Sequence, residues 1–151
     1  MLAKEIMTKN VITVTPEDTV EQVVKLLMDH NISGLPVVDG ENSVVGIITE
    51  GDLIYRSKKL QIPSYFTILD SYIFMESTKT IQEQIRKMVG YRVEEVMTRE
   101  VIVARMDETV EEIATLMATK KVNRIPIVDH GELVGIISRR DIIRTYANPG
   151  V

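Results

Sequence analysis

The sequence contains no cysteine. That absence excludes a disulfide framework, a thiol nucleophile and any thiolate metal site. Histidine is scarce as well. His30 ends a periodic helical stretch and His130 sits in a turn, neither with a carboxylate at ligand spacing, so neither points to a metal or to acid–base work. No apolar run approaches the ~20 residues needed to span a bilayer. The opening MLAKEIMTKN lacks the apolar centre of a signal peptide. Together these predict a cytoplasmic protein without a membrane partner. No charge of one sign dominates: 18 Lys and Arg stand against 22 Asp and Glu, without a basic block. There is thus no electrostatic footprint for nucleic acid, although a small anionic ligand needs only one local positive site. Gly-x-Ser-x-Gly elbows, P-loops and Gly-x-Gly-x-x-Gly turns are missing. No catalytic residue is identified.

What is present is one compact domain's worth of chain. It has 151 residues, 44% apolar and 26% charged, ordinary values for a soluble globular protein. The chain repeats itself. Met7-Thr8 recurs as Met97-Thr98, Val11-Ile12 as Val101-Ile102, Thr19-Val20-Glu21 as Thr109-Val110-Glu111, and Pro36, Val38 and Asp39 as Pro126, Val128 and Asp129. One residue is then lost in a turn, after which Gly46-Ile47-Ile48 meets Gly135-Ile136-Ile137 and Asp52 meets Asp141. So many ordered matches mark a duplication.

Within a unit, VITV reads as a short β-branched strand. TPEDTVEQVVKLLMDH then reads as a helix, with Thr15 as its cap, Pro16 at the first helical position and Glu17 and Asp18 in the first turn. Val20, Val23, Val24 and Leu27 form its apolar stripe, and Val110, Ile113, Ala114 and Met117 repeat it. GLPVVDGENSVVGIIT and RIPIVDHGELVGIIS read as antiparallel hairpins, each followed by a helix near Asp52 or Asp141. The spacing predicts an α/β (α+β) fold: two β-α-β-β-α units, 1–55 and 94–151, packed about a pseudo-two-fold axis as one module. Units this small bury too little apolar surface alone. Residues 56–93 break the symmetry. They hold Tyr65, Phe66, Tyr72, Phe74 and Tyr91, too aromatic for a disordered linker, and a helical pattern on Ile81, Ile85, Met88 and Val89 that ends at Gly90. The aromatics serve the insert's own packing or an interface. Acidic pairs Glu94-Glu95 and Glu111-Glu112 suit first helical turns, and Met28, Met88 and Met117 read as core filler.

The sharpest motif is GIITEGD, written again as GIISRRD. A hydroxyl at a strand's end, three residues before an acid, has two readings. Thr49 and Ser138 lie beside free backbone N–H groups suited to phosphate, while Asp52 and Asp141 can accept from ribose hydroxyls. The same pairs also make helix capping boxes. Spacing leaves both open.

With IMT and VMT before the first strands and ISGLPVVD and VNRIPIVD in the hairpins, the set resembles a tandem pair of CBS domains, a Bateman module, over residues 4–55 and 94–146. The resemblance implies two CBS units with a cleft between them for an adenine nucleotide or adenosyl compound: AMP, ADP, ATP or S-adenosylmethionine. It places Thr49, Asp52, Ile102, Val122, Asn123 and Arg124 at one site, with Glu50 repelling phosphate there if it turns inward. It places Ile12, Ile32, Ser33, Ser138, Arg139, Arg140 and Asp141 at the other. Arg139 and Arg140 also fit a solvated helix end. The expected function is a non-catalytic regulatory module with no required cofactor, a homodimer that signals to a separate effector protein. The alternative is a dimerisation scaffold without a ligand.

Overall fold

The structure, a computed structural model, describes residues 1–54 and 90–149. Its elements are α1 (Ala3–Ile6), α2 (Val20–His30), β1 (Gly34–Val38), β2 (Val44–Thr49), α3 (residues 50–54), α4 (Val93–Val96), β3 (Ala104–Arg105), α5 (Val110–Lys120), β4 (Arg124–Asp129), β5 (Glu132–Ser138) and α6 (Arg139–Ala147). Among the described residues no helix is long and apolar enough to cross a membrane. The helix expected over 81–89 and the aromatics Tyr65, Phe66, Tyr72 and Phe74 lie outside the described residues. Tyr91 is half-exposed, and its carbonyl accepts from the Val20 N–H at 2.9 Å.

Each hairpin forms as an antiparallel pair, β1 with β2 and β4 with β5, and each carries a register shift near its turn. The first strands are shorter than the β-branched runs suggest. Val14 makes a single parallel bridge to Val37, and β3 pairs over two residues with β4. Val11, Ile12, Val101 and Ile102 have left the sheets to line clefts between the units.

The first long helix also starts later than its Pro-Glu-Asp suggests. Thr15 closes a separate turn, its N–H donating to Asp18 Oδ2 at 2.8 Å. The cap of α2 is Thr19, whose N–H donates to Gln22 Oε1 at 2.8 Å and whose hydroxyl accepts from the Gln22 N–H at 3.2 Å. Thr109 and Glu112 repeat that capping box on α5. Thr-x-x-Gln and Thr-x-x-Glu satisfy two end donors with side chains at once, whereas upstream the Asp18 N–H reaches only the Thr15 backbone carbonyl, at 3.1 Å. The expected stripes are inside: Val20, Val23 and Leu27 are buried in one core, and Val110, Ile113 and Met117 in the other, with Val24 and Ala114 packed beside them. Met117 therefore is core filler. Met28 is not: it is 77% exposed, off the stripe by one position. Met88 lies outside the described residues.

Two cores exist, and each borrows its lead-in helix from the other half of the chain. Val93, Val96 and Met97 are buried with α2, β1 and β2. Ala3 is buried with α5, β4 and β5. Backbone bonds fix the exchange: Val93 N–H donates to Asp18 at 2.8 Å, Ala3 N–H to Glu108 at 2.8 Å, and Val110 N–H to Met1 at 3.0 Å. After each lead-in helix the Met-Thr pair straps the opposite hairpin. Thr98 exchanges backbone bonds with Ile47 at 2.8 and 2.9 Å, and Thr8 does so with Ile136 at 2.9 and 3.0 Å. The methionines lie flat on the glycines. A Cβ placed on Gly46 would sit 2.5 Å from Met97 Sδ, and one on Gly135 would sit 2.8 Å from Met7 Cγ. Thr98 adds a bond that has no counterpart at Thr8 among the described residues, its hydroxyl donating to Asp52 Oδ1 at 2.7 Å. The one-residue difference between the turns adds another asymmetric tie, with Asn42 and Leu133 exchanging bonds at 3.0 Å.

Two stability measurements by urea unfolding check this strapping. Gly135→Ala overpacks the Met7 contact and is expected to destabilise by about 1–3 kcal/mol; an unchanged midpoint contradicts the contact. Thr98→Val loses a bond to a carboxylate and is expected to cost about 1.5–3 kcal/mol, whereas Thr8→Val stays within about 0.5 kcal/mol. Equal effects at the two threonines contradict the asymmetry.

Candidate functional site

The two acids at the heart of the repeat motif are held by their own helix ends. Asp52 Oδ2 accepts from the Thr49 N–H at 3.0 Å and the Thr49 hydroxyl at 3.2 Å. The Asp52 N–H donates back to the Thr49 hydroxyl at 3.1 Å. Asp141 Oδ2 accepts from the Ser138 N–H at 2.8 Å and the Ser138 hydroxyl at 2.9 Å. The capping reading is therefore realised, and it uses only one oxygen of each carboxylate. The other oxygens differ. Asp52 Oδ1 is taken by Thr98. Among the described residues Asp141 Oδ1 has only Arg144 Nη1 nearby, at 4.0 Å, and the Asp141 side chain stays 15% exposed. Asp141 Oδ1 thus keeps more acceptor capacity than Asp52 Oδ1, which already accepts one bond from Thr98.

Two clefts flank the pseudo-two-fold axis. The larger encloses about 800 Å³ and is walled by Ile12, Ile32 and Ser33 from the first half and Ser138, Arg139, Arg140 and Asp141 from the second. These are the residues expected together on the Asp141 side. The smaller encloses about 210 Å³, with Thr49 and Asp52 facing Ile102, Val122, Asn123 and Arg124, the residues expected on the Asp52 side. Asn123 and Arg124 also reach the larger cleft. The sequence reading missed Arg144, Ile143, His30, Thr8 and Asn10 on the larger wall, and Lys121 and Glu100 on the smaller. Arg144 was findable, since it lies one helical turn beyond Arg140 on α6. His130, in contrast, is an exposed turn residue 3.7 Å from Asp129.

A polar septum on the axis separates the clefts. Arg124 donates to the Ser33 hydroxyl, and Arg139 Nη1 donates to Asn123 Oδ1 at 3.3 Å. The Arg124 guanidinium crosses directly over Gly34, where a Cβ would lie 2.6 Å from Nη1. Burial pulls the Arg124 pKa below its ordinary value, and the carboxylates of Glu50 and Asp52 oppose that shift. An arginine so placed stays charged at neutral pH. Glu50 needs a correction: it lines the larger cleft, not the Asp52 cleft. As the first residue of α3 it is the counterpart of Arg139, and its N–H is drawn to the Ser33 carbonyl at 2.9 Å. The charges of the clefts therefore differ. Arg124, Arg139, Arg140 and Arg144 face Glu50 and Asp141 in the larger. Lys121 and Arg124 face Asp52 and Glu100 in the smaller. Among the described residues no cluster of three His, Asp or Glu side chains could hold a metal.

Comparison with known proteins agrees with this architecture. The CBS domain family matches residues 3–59 and 93–148. The inosine-5'-monophosphate dehydrogenase of Methanocaldococcus jannaschii is 36% identical over 148 residues, which is 97% of this chain but 24% of the enzyme. The chain thus spans about a quarter of that relative's length. An uncharacterized protein of the same organism is 32% identical over 151 residues, covering 95% of this chain and 89% of that one. Among solved structures, CBSX2 in complex with AMP gives a TM-score of 0.75 at 27% identity, covering 99% of both chains. The CBS domain pair of MJ0100, in complex with 5'-methylthioadenosine and S-adenosyl-L-methionine, gives 0.72 at 29% identity, covering 99% of this chain and 98% of that one. Two matched stretches on two strapped cores, and pair structures that cover the whole chain, lead to one conclusion: this chain belongs to the CBS domain family and is built as a CBS domain pair.

Proposed function

We propose that this chain is a non-catalytic sensor that takes an adenosine-bearing metabolite in the larger cleft. The observation that carries the reading is Asp141: one oxygen caps α6 while the other stays open to a cleft of about 800 Å³. Two neighbouring ribose hydroxyls can donate to such an oxygen, as they do to the acid of dinucleotide folds. Ile12 and Ile32 supply apolar walls for a base, and the arginines supply charge-assisted donors for a phosphate. The smaller cleft is the lesser candidate, because it holds about 210 Å³ and a ribose there shares Asp52 Oδ1 with Thr98. AMP on CBSX2 and adenosyl compounds on the MJ0100 pair support the ligand class. The match to a dehydrogenase over 24% of its length supports a regulatory rather than a catalytic role.

A ligand that touches both halves at once favours whichever arrangement of the halves fits it better, and only that difference in affinity can signal. We place the module in the cytoplasm, as a homodimer acting on a separate effector protein. A second reading has one observation in its favour. The Thr49–Asp52 and Ser138–Asp141 boxes are complete without any ligand, as a pure dimerisation scaffold needs.

Titration calorimetry with AMP, ADP, ATP and S-adenosylmethionine separates the two. A sensor binds at least one of them in the micromolar range, about −8 kcal/mol. Asp141→Ala then weakens binding by about 10-fold or more, the loss of a charged hydrogen bond, while Asp52→Ala retains it. The scaffold reading stands if no compound binds and Asp141→Ala loses only about 1 kcal/mol of stability, the cost of a cap, with a larger loss in Asp52→Ala because its bond to Thr98 goes too. Loss of binding in Asp52→Ala alone contradicts the assignment to the larger cleft.

A further inference from the structure

We propose that the larger cleft selects adenine nucleotides carrying two or three phosphates over the monophosphate and over the cationic S-adenosylmethionine, with Arg140 and Arg144 as the residues that set this preference. The inference rests on the adenosyl-ligand reading above and extends it to the chemistry of the ligand's tail.

The four arginines of the cleft are not equally free. Arg124 is held between Ser33 and the carboxylates of Glu50 and Asp52. Arg139 is tied to Asn123. Arg140 and Arg144 lie four residues apart on α6, hence along one face of the helix. Both are exposed on the cleft wall. Arg144 stands over Asp141 with its Nη1 4.0 Å from Oδ1, and its side chain is 67% exposed. A ribose anchored at Asp141 would lie in the same cleft as this group of cations, with Arg144 beside it. A monophosphate uses part of this group of cations; a second and a third phosphate add charge for Arg140 and Arg144, whose side chains, among the described residues, make no hydrogen bond with another side chain. Each phosphate adds negative charge where cations outnumber the carboxylates Glu50 and Asp141. The tail of S-adenosylmethionine, a sulfonium and an ammonium against one carboxylate, is net positive and meets an excess of like charge there. Because these arginines are exposed, the preference is screened by salt.

The test is titration calorimetry in magnesium-free buffer with AMP, ADP, ATP and S-adenosylmethionine, on the wild-type chain and on R140Q/R144Q. ATP is expected to bind at least about tenfold more tightly than AMP, one charge-assisted bond's worth. S-adenosylmethionine is expected to bind more weakly than AMP. The double variant is expected to bring the ATP-to-AMP ratio towards one, as is raising salt from about 50 to about 200 mM in the wild type. Circular-dichroism melting confirms that the variant is folded. AMP or S-adenosylmethionine binding as tightly as ATP overturns the selectivity while leaving the sensor reading intact. An undiminished ratio in the folded double variant overturns the role of the two arginines. Binding of none of the compounds removes the sensor reading itself, and this inference with it.

Discussion

The constraint on which the rest depends is the strap that each half of the chain lays across the other. Met7-Thr8 and Met97-Thr98 each pair with a Gly-Ile strand of the opposite half, and the lead-in helices before them complete the opposite cores. Neither half owns a finished core. Burial of Val93, Val96 and Met97 by one unit and of Ala3 by the other makes the pair one cooperative object rather than two domains on a string. The close approach requires glycine at 46 and 135, because the methionine occupies the space of a side chain. It also explains why the Met-Thr and Gly-Ile-Ile motifs occur together in each repeat: they are two sides of one contact, read from opposite copies.

The same strap creates the clefts and makes them unequal. Just beyond Met-Thr the chain leaves the sheet, so Val11-Ile12 and Val101-Ile102 become cleft walls. A symmetric scaffold then carries asymmetric residues. Gly34 faces Arg124, Glu50 mirrors Arg139, and Ser33 mirrors Asn123, so Arg124 reaches across to Ser33 while Arg139 stays bonded to Asn123 of its own half. Thr98 closes on Asp52, whereas Asp141 keeps an oxygen open. Duplication supplies two clefts, and positions where the copies differ, Gly34 against Arg124 and Glu50 against Arg139, help make them unequal in charge.

Much of this was legible in the chain. The stripes Val20-Val23-Leu27 and Val110-Ile113-Met117 are buried as their period requires, and the hairpins pair as their apolar runs suggest. The residues named for the two sites do assemble on two clefts, because the repeat fixes what lies opposite what. Three features were not legible. The exchange of lead-in helices is invisible to a repeat comparison, since symmetric partners can trade places without changing the pattern. The start of α2 was not legible because Thr-Pro-Glu-Asp and Thr-Val-Glu-Gln are both plausible helix openings and both bond in two directions; only at Thr19 does the hydroxyl accept the return bond. The side on which Glu50 lies was not legible either: its N–H bonds Ser33 just as the Arg139 N–H bonds Asn123, yet both side chains line the larger cleft, which no local pattern encodes.

The most direct measurement of the central claim is a titration of the isotope-labelled chain with AMP and ATP, followed by amide nuclear magnetic resonance. Shifts concentrated at Ile12, Ile32, Ser33 and Ser138 to Asp141, with Thr49, Asp52 and Val122 unmoved, are the expected result. Shifts centred on Thr49 and Asp52, or none at either cleft, contradict the account.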